Sequence, residues 1–135
     1  MSYKFLPHTA DIKVLVEGSS LEELFIYSLN SLNSLIKKDF VIDDVFNIEE
    51  LIEIDSIDTE ALLIDFLSEI LFLSETRRAL FCKFNFEKFE GNYLKGRAFG
   101  KLIETFDNEI KAVTYHQTKI KFDGKKYEAV IIFDI

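Results

Sequence analysis

Three stretches of the chain concentrate side chains that could bind a cation or transfer a proton. They read PHTAD at residues 7–11, IKAVTYH at residues 110–116 and VIIFDI at residues 130–135. Carboxylate oxygens suit a hard cation such as Ca²⁺ or Mg²⁺, and histidine suits proton transfer near neutral pH. The candidate residues in these stretches are His8, Asp11, Lys111, Tyr115, His116, Asp134 and Ile135.

Asp134 is the candidate whose position most needs a chemical explanation. It shares strand parity with Val130 and Ile132 in a run that is apolar on both faces, and only Ile135 follows it. The terminal carboxylate then lies close to the Asp134 side chain, and two like charges repel unless a cation or a basic group lies between them. If the strand after PHTAD begins beside this end, Asp11 adds a third carboxylate. Three such donors, with waters, suit Ca²⁺ or Mg²⁺.

Each candidate also has an ordinary structural explanation. Asp11 before a strand is typical of a turn or an Asx cap, and His8 after a proline is typical of a loop histidine that closes the turn. Lys111 fits a solvated lysine, Tyr115 a core aromatic, and Asp134 a solvated acid near a chain end. The residues alone leave both interpretations open.

Charge and motifs limit the classes of function. The chain has 16 Lys and Arg against 24 Asp and Glu, a net charge of −8, so a cation or a basic protein partner fits better than free RNA or DNA. The sequence contains no GxxxxGK[ST], GxGxxG, HExxH, GxSxG or EF-hand loop. These absences argue against an independent catalyst without excluding one.

The apolar pattern predicts the elements that position these residues. Residues 11–18 alternate as a half-buried strand. Ser20 begins a capping box in which Glu23 reaches back to Ser20, and an amphipathic helix follows to about Lys38. Asp58 is the predicted N-cap of a second, more buried helix that runs to about Arg78.

The remaining pattern predicts strands. Residues 45–55 predict a strand interrupted by Glu50, and hairpins are predicted at Gly91-Asn92 and Asp123-Gly124, where both residues of the second pair tolerate positive φ. Residues 130–133 predict a strand internal to its sheet. Two helices cannot cover both faces of six or more strands, so the predicted class is α+β. We expect two main helices on a mostly antiparallel mixed sheet, in a single domain over residues 1–135.

Cysteine use and hydropathy bear on the compartment. Cys82 is the only cysteine, so an intramolecular disulfide is impossible. We therefore expect a cytoplasmic location and no zinc site. The most apolar stretch, residues 62–73, is broken by Asp65 and Glu69 and is shorter than the ~20 residues that a bilayer demands. The N-terminus lacks the signal-peptide pattern. We therefore expect no membrane association.

Taken in order, the three stretches resemble the archease family. PHTAD followed by a strand and Gly18, IKAVTYH in the late middle, and a hydrophobic end closing in FDI match that family's pattern over essentially the whole chain. The resemblance implies a small α+β protein that is a cofactor of the tRNA-splicing RNA ligase and not itself an enzyme. That ligase is metal- and GTP-dependent and joins RNA 2′,3′-cyclic phosphate or 3′-phosphate ends to 5′-hydroxyl ends.

The resemblance also implies roles for particular residues. Asp11, Asp134 and the carboxylate of Ile135 fall on the family's metal-binding positions, for Ca²⁺ or alternatively Mg²⁺ or Mn²⁺, and Lys111 falls on its basic position. The chain would promote guanylylation of the ligase's active-site histidine, allow repeated turnover, and meet RNA only through the ligase. Together with the apolar residues 130–133, the resemblance predicts that the first and last strands are neighbours and that Asp11 and Asp134 share one ion.

Two other classes of function remain open at this point. A stand-alone metal-dependent hydrolase could use the same carboxylates with His116 as the base, and turnover of a nucleotide or an ester by the purified protein would favour it. A chaperone-like binding module for an RNA-modifying enzyme is the other, and recovery of a methyltransferase from cell extract would favour that. His8 and Tyr115 are further candidates for contact with a partner.

Overall fold

The computed structural model describes residues 2–6, 11–39, 45–114 and 119–135. Three candidate residues, His8, Tyr115 and His116, lie outside the described residues. In chain order the elements are β1 Ser2–Leu6, β2 Ile12–Gly18, α1 Leu21–Ile36, β3 Ile48–Asp55, α2 Thr59–Arg77, β4 Ala79–Glu90, β5 Tyr93–Leu102, β6 Ala112–Thr114, β7 Lys121–Phe122 and β8 Tyr127–Asp134.

The described strands form two sheets. One sheet has the order β1-β2-β8-β6, with β7 also paired to β8, and the other has the order β3-β5-β4. Every pairing between the described strands is antiparallel. The α+β class with two main helices is confirmed, and the strands are divided between two sheets instead of lying in one. The internal position predicted for residues 130–133 is also confirmed, since β8 pairs with β2 on one side and with β6 and β7 on the other.

Helix α1 begins at a cap that the sequence predicts. The Ser20 hydroxyl accepts a hydrogen bond from the Glu23 backbone N–H at 3.0 Å. The returning half of the capping box goes to a different residue, because the Glu23 carboxylate accepts from the Ser19 backbone N–H at 3.1 Å and from the Ser19 hydroxyl at 2.8 Å. These bonds hold the pKa of Glu23 below its usual value. The helix ends at Ile36, two residues before the predicted end.

Helix α2 is buried on several sides. Asp58 caps it through a 2.7 Å bond from the Ala61 backbone N–H to its carboxylate, and Arg78 closes it in the left-handed conformation with φ 49°. Four successive residues, 61–64, are buried, so the helix needs apolar neighbours beyond a single face. It obtains them by contacting β3, β4 and β5 of one sheet and β6 of the other. No helix among the described residues is long and apolar enough to cross a membrane.

The hairpin predicted at Asp123-Gly124 is confirmed, because β7 and β8 pair on either side of it, whereas the strand at Glu50 differs from the prediction. Strand β3 continues through Glu50, whose carboxylate pairs with Arg77 of α2 and so has a partner within an unbroken strand. In the connection between β7 and β8, Gly124 adopts φ 95°, while Asp123, which would also tolerate a positive φ, does not adopt one. Asp123 instead accepts hydrogen bonds from the Lys125 and Lys126 backbone N–H groups, both at 2.9 Å, and makes a wider turn.

The hairpin between β4 and β5 turns where it was predicted. Gly91 lies in the turn with φ 58°, a conformation that glycine adopts without steric cost. Farther along β5, a Cβ added to Gly96 would lie 2.3 Å from the Asn85 carbonyl oxygen of β4. The backbones of the two strands therefore approach too closely there for any other residue.

Candidate cation site at the strand ends

The pairing of β2 with β8 brings the two candidate aspartates to one place. The register pairs Ile12 with Phe133, and one further step along both antiparallel strands sets Asp11 opposite Asp134. Residues that face each other across antiparallel strands have Cα atoms roughly 4.5–5.5 Å apart. The prediction that the first alternating strand and the last strand are neighbours is confirmed, because Asp11 directly precedes β2 and Asp134 ends β8.

The two carboxyl groups interact directly, and the interaction appears in the pKa of Asp134. Partial burial is the largest effect that raises this pKa, followed by the negative charge of Asp11 and by a hydrogen bond between the two carboxyl groups. The positive charge of Lys111 acts in the opposite direction. The site therefore favours a proton or another positive charge between the aspartates.

Lys111 reaches this pair through the main chain as well as through its charge. Strand β6 pairs with β8 so that Ala112 faces Asp134, and the Lys111 backbone N–H donates to the Asp134 carbonyl oxygen at 2.8 Å. The Lys111 side chain is exposed. The same hydrogen bond fixes the main chain beside the cluster, while the ammonium group stays available at the surface.

Ile135 follows Asp134 at the end of β8, with 44% of its surface exposed. Among the described residues there is no group of three or more His, Cys, Asp and Glu side chains that could hold a metal ion. A cation at these strand ends would thus need further oxygen ligands in addition to the two aspartates, and Ile135, directly after Asp134, is the residue that the sequence analysis named for this role. We call Asp11, Lys111, Asp134 and Ile135 the strand-end cluster.

The donor chemistry of the strand-end cluster fits a hard divalent cation. Carboxylate oxygens are the preferred ligands of Ca²⁺ and Mg²⁺, and waters routinely complete their coordination. The raised pKa of Asp134 supports the fit, because a cation would replace the proton that the pair otherwise favours. The cluster supplies no side chain with the nucleophile-and-base arrangement typical of covalent catalysis.

The structure brings four of the seven candidates together and adds two residues that the sequence patterns did not single out. A cavity of about 300 Å³ lies between α2 and β6 beside Lys111. Phe72 borders it with 57% of its surface exposed. Glu75 borders the same cavity one helical turn later. The sequence patterns missed Phe72 and Glu75 because their place beside the cavity depends on which side of α2 faces β6, and that is decided by tertiary packing.

The chain is a small α+β protein with two main helices, two antiparallel sheets and a pair of carboxylates at adjoining strand ends. Comparison with known proteins identifies its family. Residues 3–135 match the archease protein family (MTH1598/TM1083), and the chain belongs to this family.

Individual relatives agree over nearly the full length. The chain is 37% identical to protein archease of Methanosarcina mazei, with 98% of this chain and 95% of the relative covered. It is similar to the solution structure of Methanobacterium thermoautotrophicum protein 1598, with a TM-score of 0.81, 31% identity and 99% of each chain covered. It is also similar to the crystal structure of a Thermotoga maritima archease described as a possible chaperone, with a TM-score of 0.70, 30% identity and coverage of 98% and 96%.

Proposed function

We propose that this chain activates the tRNA-splicing RNA ligase by docking its strand-end cluster close to the ligase's nucleotide site. The observation that carries the proposal is the direct pairing of Asp11 with Asp134 beside Lys111. Membership of the archease family supports it, since the sequence motifs that imply ligase activation are the stretches that supply these residues. The ligase itself would carry out the guanylylation of its histidine and the joining of RNA ends.

In this proposal, Asp11, Asp134 and the carboxylate of Ile135 would hold a divalent cation, Ca²⁺ or else Mg²⁺ or Mn²⁺. When bound, the cation would supply positive charge for phosphate oxygens, and such charge positioning dominates phosphoryl-type transfers. The carboxylates do not act as a nucleophile or a base. Their part is to hold the charge at the protein surface, where partial burial and mutual repulsion already favour it.

Lys111 would contribute a second positive charge at the same edge. Its backbone is fixed by the hydrogen bond to Asp134, while its exposed ammonium group can reach a phosphate or an acidic group of the ligase. An ammonium group is a compact point charge on a flexible stem, and so it adjusts to a partner that arrives from solution. With a net charge of −8, the chain itself has no general attraction for RNA, so contact with RNA would run through the ligase.

A ligation assay tests the proposal. Cognate ligase is mixed with excess RNA carrying a 2′,3′-cyclic phosphate and a 5′-hydroxyl end, with GTP and a divalent cation, and with or without this protein. We expect multiple turnover only when the protein is present. Asp11→Ala and Asp134→Ala should each abolish the stimulation while the thermal transition stays within a few degrees of wild type, because both residues lie at strand ends and not in the core.

The matched control is Asp55→Ala, which removes an exposed aspartate from the end of a strand in the other sheet. This variant should stimulate the ligase as well as wild type does. Full stimulation by Asp134→Ala would contradict the role of the cluster. If Asp11→Ala or Asp134→Ala melts far below wild type, the acid has a structural role, and the loss of stimulation says nothing about the cation.

A chaperone-like binding module is the second candidate function. The Thermotoga maritima archease with a TM-score of 0.70 to this chain is described as a possible chaperone, and that description favours a protein partner of some kind. Affinity capture from extract distinguishes the two functions. Recovery of the ligase supports activation, whereas recovery of another RNA-modifying enzyme without the ligase, together with reduced aggregation of that enzyme, supports the chaperone-like function.

A further inference from the structure

The cavity between α2 and β6, which we call the Phe72 cavity, adjoins the strand-end cluster. Its volume is about 300 Å³, and its walls come from residues between 68 and 75 of α2 and from residues 111–113. Lys111 belongs to both features, because it borders the cavity and its charge acts on Asp134. A partner that covers the strand-end cluster on the side of Lys111 therefore also meets the cavity.

Phe72 presents an exposed aromatic ring at this cavity. The residue is 57% exposed, and among the described residues no other ring and no Lys or Arg side chain lies against it. Single exposed apolar residues are common on protein surfaces, so exposure alone does not mark a binding site. Phe72 is distinguished by its place beside a cavity that also borders Lys111. Aromatic residues in such pockets often dominate the energy of an interface.

Glu75 adds a negative charge beside that ring. It follows Phe72 by three residues in α2, so both side chains lie on one face of the helix, with Cβ atoms about 5–6 Å apart. Glu75 is exposed and forms no ion pair with another described residue. Arg78, one turn later, has other partners, because it lies over the Phe106 ring and donates to the Glu104 carbonyl oxygen.

The pairing of an exposed ring with an available carboxylate selects the side chain that fits. Lys111 borders the same cavity without forming an ion pair with Glu75 in the part of the chain that the structure describes. An arginine from a partner suits both groups, because its planar guanidinium stacks on aromatic faces and its N–H donors match a carboxylate. A purely apolar side chain would cover Phe72 and leave Glu75 without a partner. The net charge of −8 also favours a basic partner surface.

We propose that the Phe72 cavity binds an arginine side chain of the tRNA-splicing RNA ligase, with its guanidinium stacked on the Phe72 ring and donating hydrogen bonds to the Glu75 carboxylate. This inference rests on the ligase-activating function proposed above, because it names the ligase as the partner. An enzyme that binds RNA carries Arg and Lys side chains around its RNA site, where they neutralise phosphates. Docking of the strand-end cluster close to that site brings such side chains to the cavity.

The test measures how stimulation of the cognate ligase depends on the concentration of the full chain in the ligation assay. Phe72→Ala should raise the concentration for half-maximal stimulation by roughly thirtyfold, as for an interface hot spot, and leave the plateau unchanged. Phe72→Leu, which keeps an apolar side chain and removes the ring, should raise it roughly threefold to tenfold. Asp134→Ala, in contrast, should abolish the plateau, because it removes a residue of the strand-end cluster.

Glu75→Gln tests the ionic half of the contact, and two further variants are controls. Glu75→Gln should raise the half-maximal concentration roughly threefold to tenfold at low ionic strength and less at high salt, because salt screens exposed charges. Phe122→Ala removes a ring of the same 57% exposure from β7, and Glu90→Gln removes an exposed carboxylate from the end of β4. Both controls should match wild type. Thermal denaturation checks that each variant folds, as expected for exposed positions.

The outcomes separate this inference from the proposed function. If wild type neither binds nor stimulates the ligase, both are wrong. If wild type stimulates the ligase and Phe72→Ala and Glu75→Gln give wild-type curves, the proposed function stands and the Phe72 cavity lies outside the interface. A wild-type curve for Phe72→Leu would show that no cation stacks on the ring. Equal salt dependence of Glu75→Gln and wild type would show that no cation reaches Glu75, and either result overturns the arginine contact.

Discussion

The strand-end cluster predicts that one substitution has opposite effects with and without a cation. Asp134→Asn removes the negative charge that faces Asp11 and nearly preserves the shape of the side chain. Burial, the charge of Asp11 and the hydrogen bond with Asp11 all raise the pKa of Asp134, against the opposite effect of Lys111. The folded state thus favours the neutral form, which Asn imitates. Without a cation, Asp134→Asn should raise the free energy of unfolding.

The sign of the pH dependence follows from the same pKa. When folding raises the pKa of an acid, no stability is lost below its unfolded value; the loss grows as pH rises toward the folded value and is complete above it. Two unit charges about 5 Å apart in water repel by about 0.8 kcal/mol, and salt reduces this for partly exposed groups. We therefore expect a gain of ~0.5 kcal/mol at pH 7, about 2 °C in Tm, that disappears toward pH 3.

With a bound cation, wild type should be more stable than Asp134→Asn, which is the reverse of the order expected without a cation. A ligand that binds only the folded state at 100 times its Kd adds about 2.7 kcal/mol. Wild type should gain stability in Ca²⁺, and Asp134→Asn should gain much less because it keeps only one of the paired carboxylates. Thermal denaturation followed by circular dichroism, in EDTA and in a calcium titration, measures both effects. Asp55→Asn, at the end of β3, should change neither curve.

Either half of this prediction can fail separately. A lower Tm for Asp134→Asn in EDTA would show that the carboxylate stabilises the fold, and the argument from repulsion would be wrong. An unchanged calcium response in the variant would place any bound cation away from Asp134. No response in wild type at millimolar Ca²⁺, Mg²⁺ or Mn²⁺ would remove the cation from the proposed mechanism.

Three further predictions concern the same region and the frame that supports it. Lys111→Ala should abolish stimulation of the ligase and Lys111→Arg should lose most of it, because a planar guanidinium does not replace a point charge; full activity of the Arg variant in the ligation assay would reduce Lys111 to a neutralising charge. Residues added after Ile135 should weaken cation binding measured by calorimetry, since extension converts the terminal carboxylate into an amide, and unchanged affinity would exclude that carboxylate as a ligand. Asp58→Ala should lower the free energy of unfolding by about 1 kcal/mol through loss of the 2.7 Å cap of α2, without changing cation affinity.

Local features of the fold were predictable because a few neighbouring residues determine them. Ser20 and Asp58 cap the two helices as predicted, since each hydroxyl or carboxylate bonds a backbone N–H three residues later. The turn at Gly91 follows from the backbone freedom of glycine. The same local reasoning was wrong at Glu50, because the residue that stabilises Glu50 within β3 is Arg77, which is distant in sequence.

The neighbouring positions of Asp11 and Asp134 could be predicted from the sequence by combining the apolar residues 130–133 with the archease resemblance. Their role as cation ligands remains a prediction, as do the roles of Lys111 and Ile135. His8, Tyr115 and His116, which lie outside the described residues, remain candidates on the sequence alone.

Patterns in the sequence determined the α+β class, the two helices and the residues that could hold a charge, because these depend on periodicity and on side-chain chemistry. Tertiary structure alone decided how the strands divide into two sheets, since strand pairing depends on contacts between distant segments. It also decided that Phe72 faces solvent and that the buried Oδ1 atom of Asn33 has no hydrogen-bond partner among the described residues. An apolar or polar letter does not specify which neighbours will pack against it, and those neighbours determine its exposure and its hydrogen bonds.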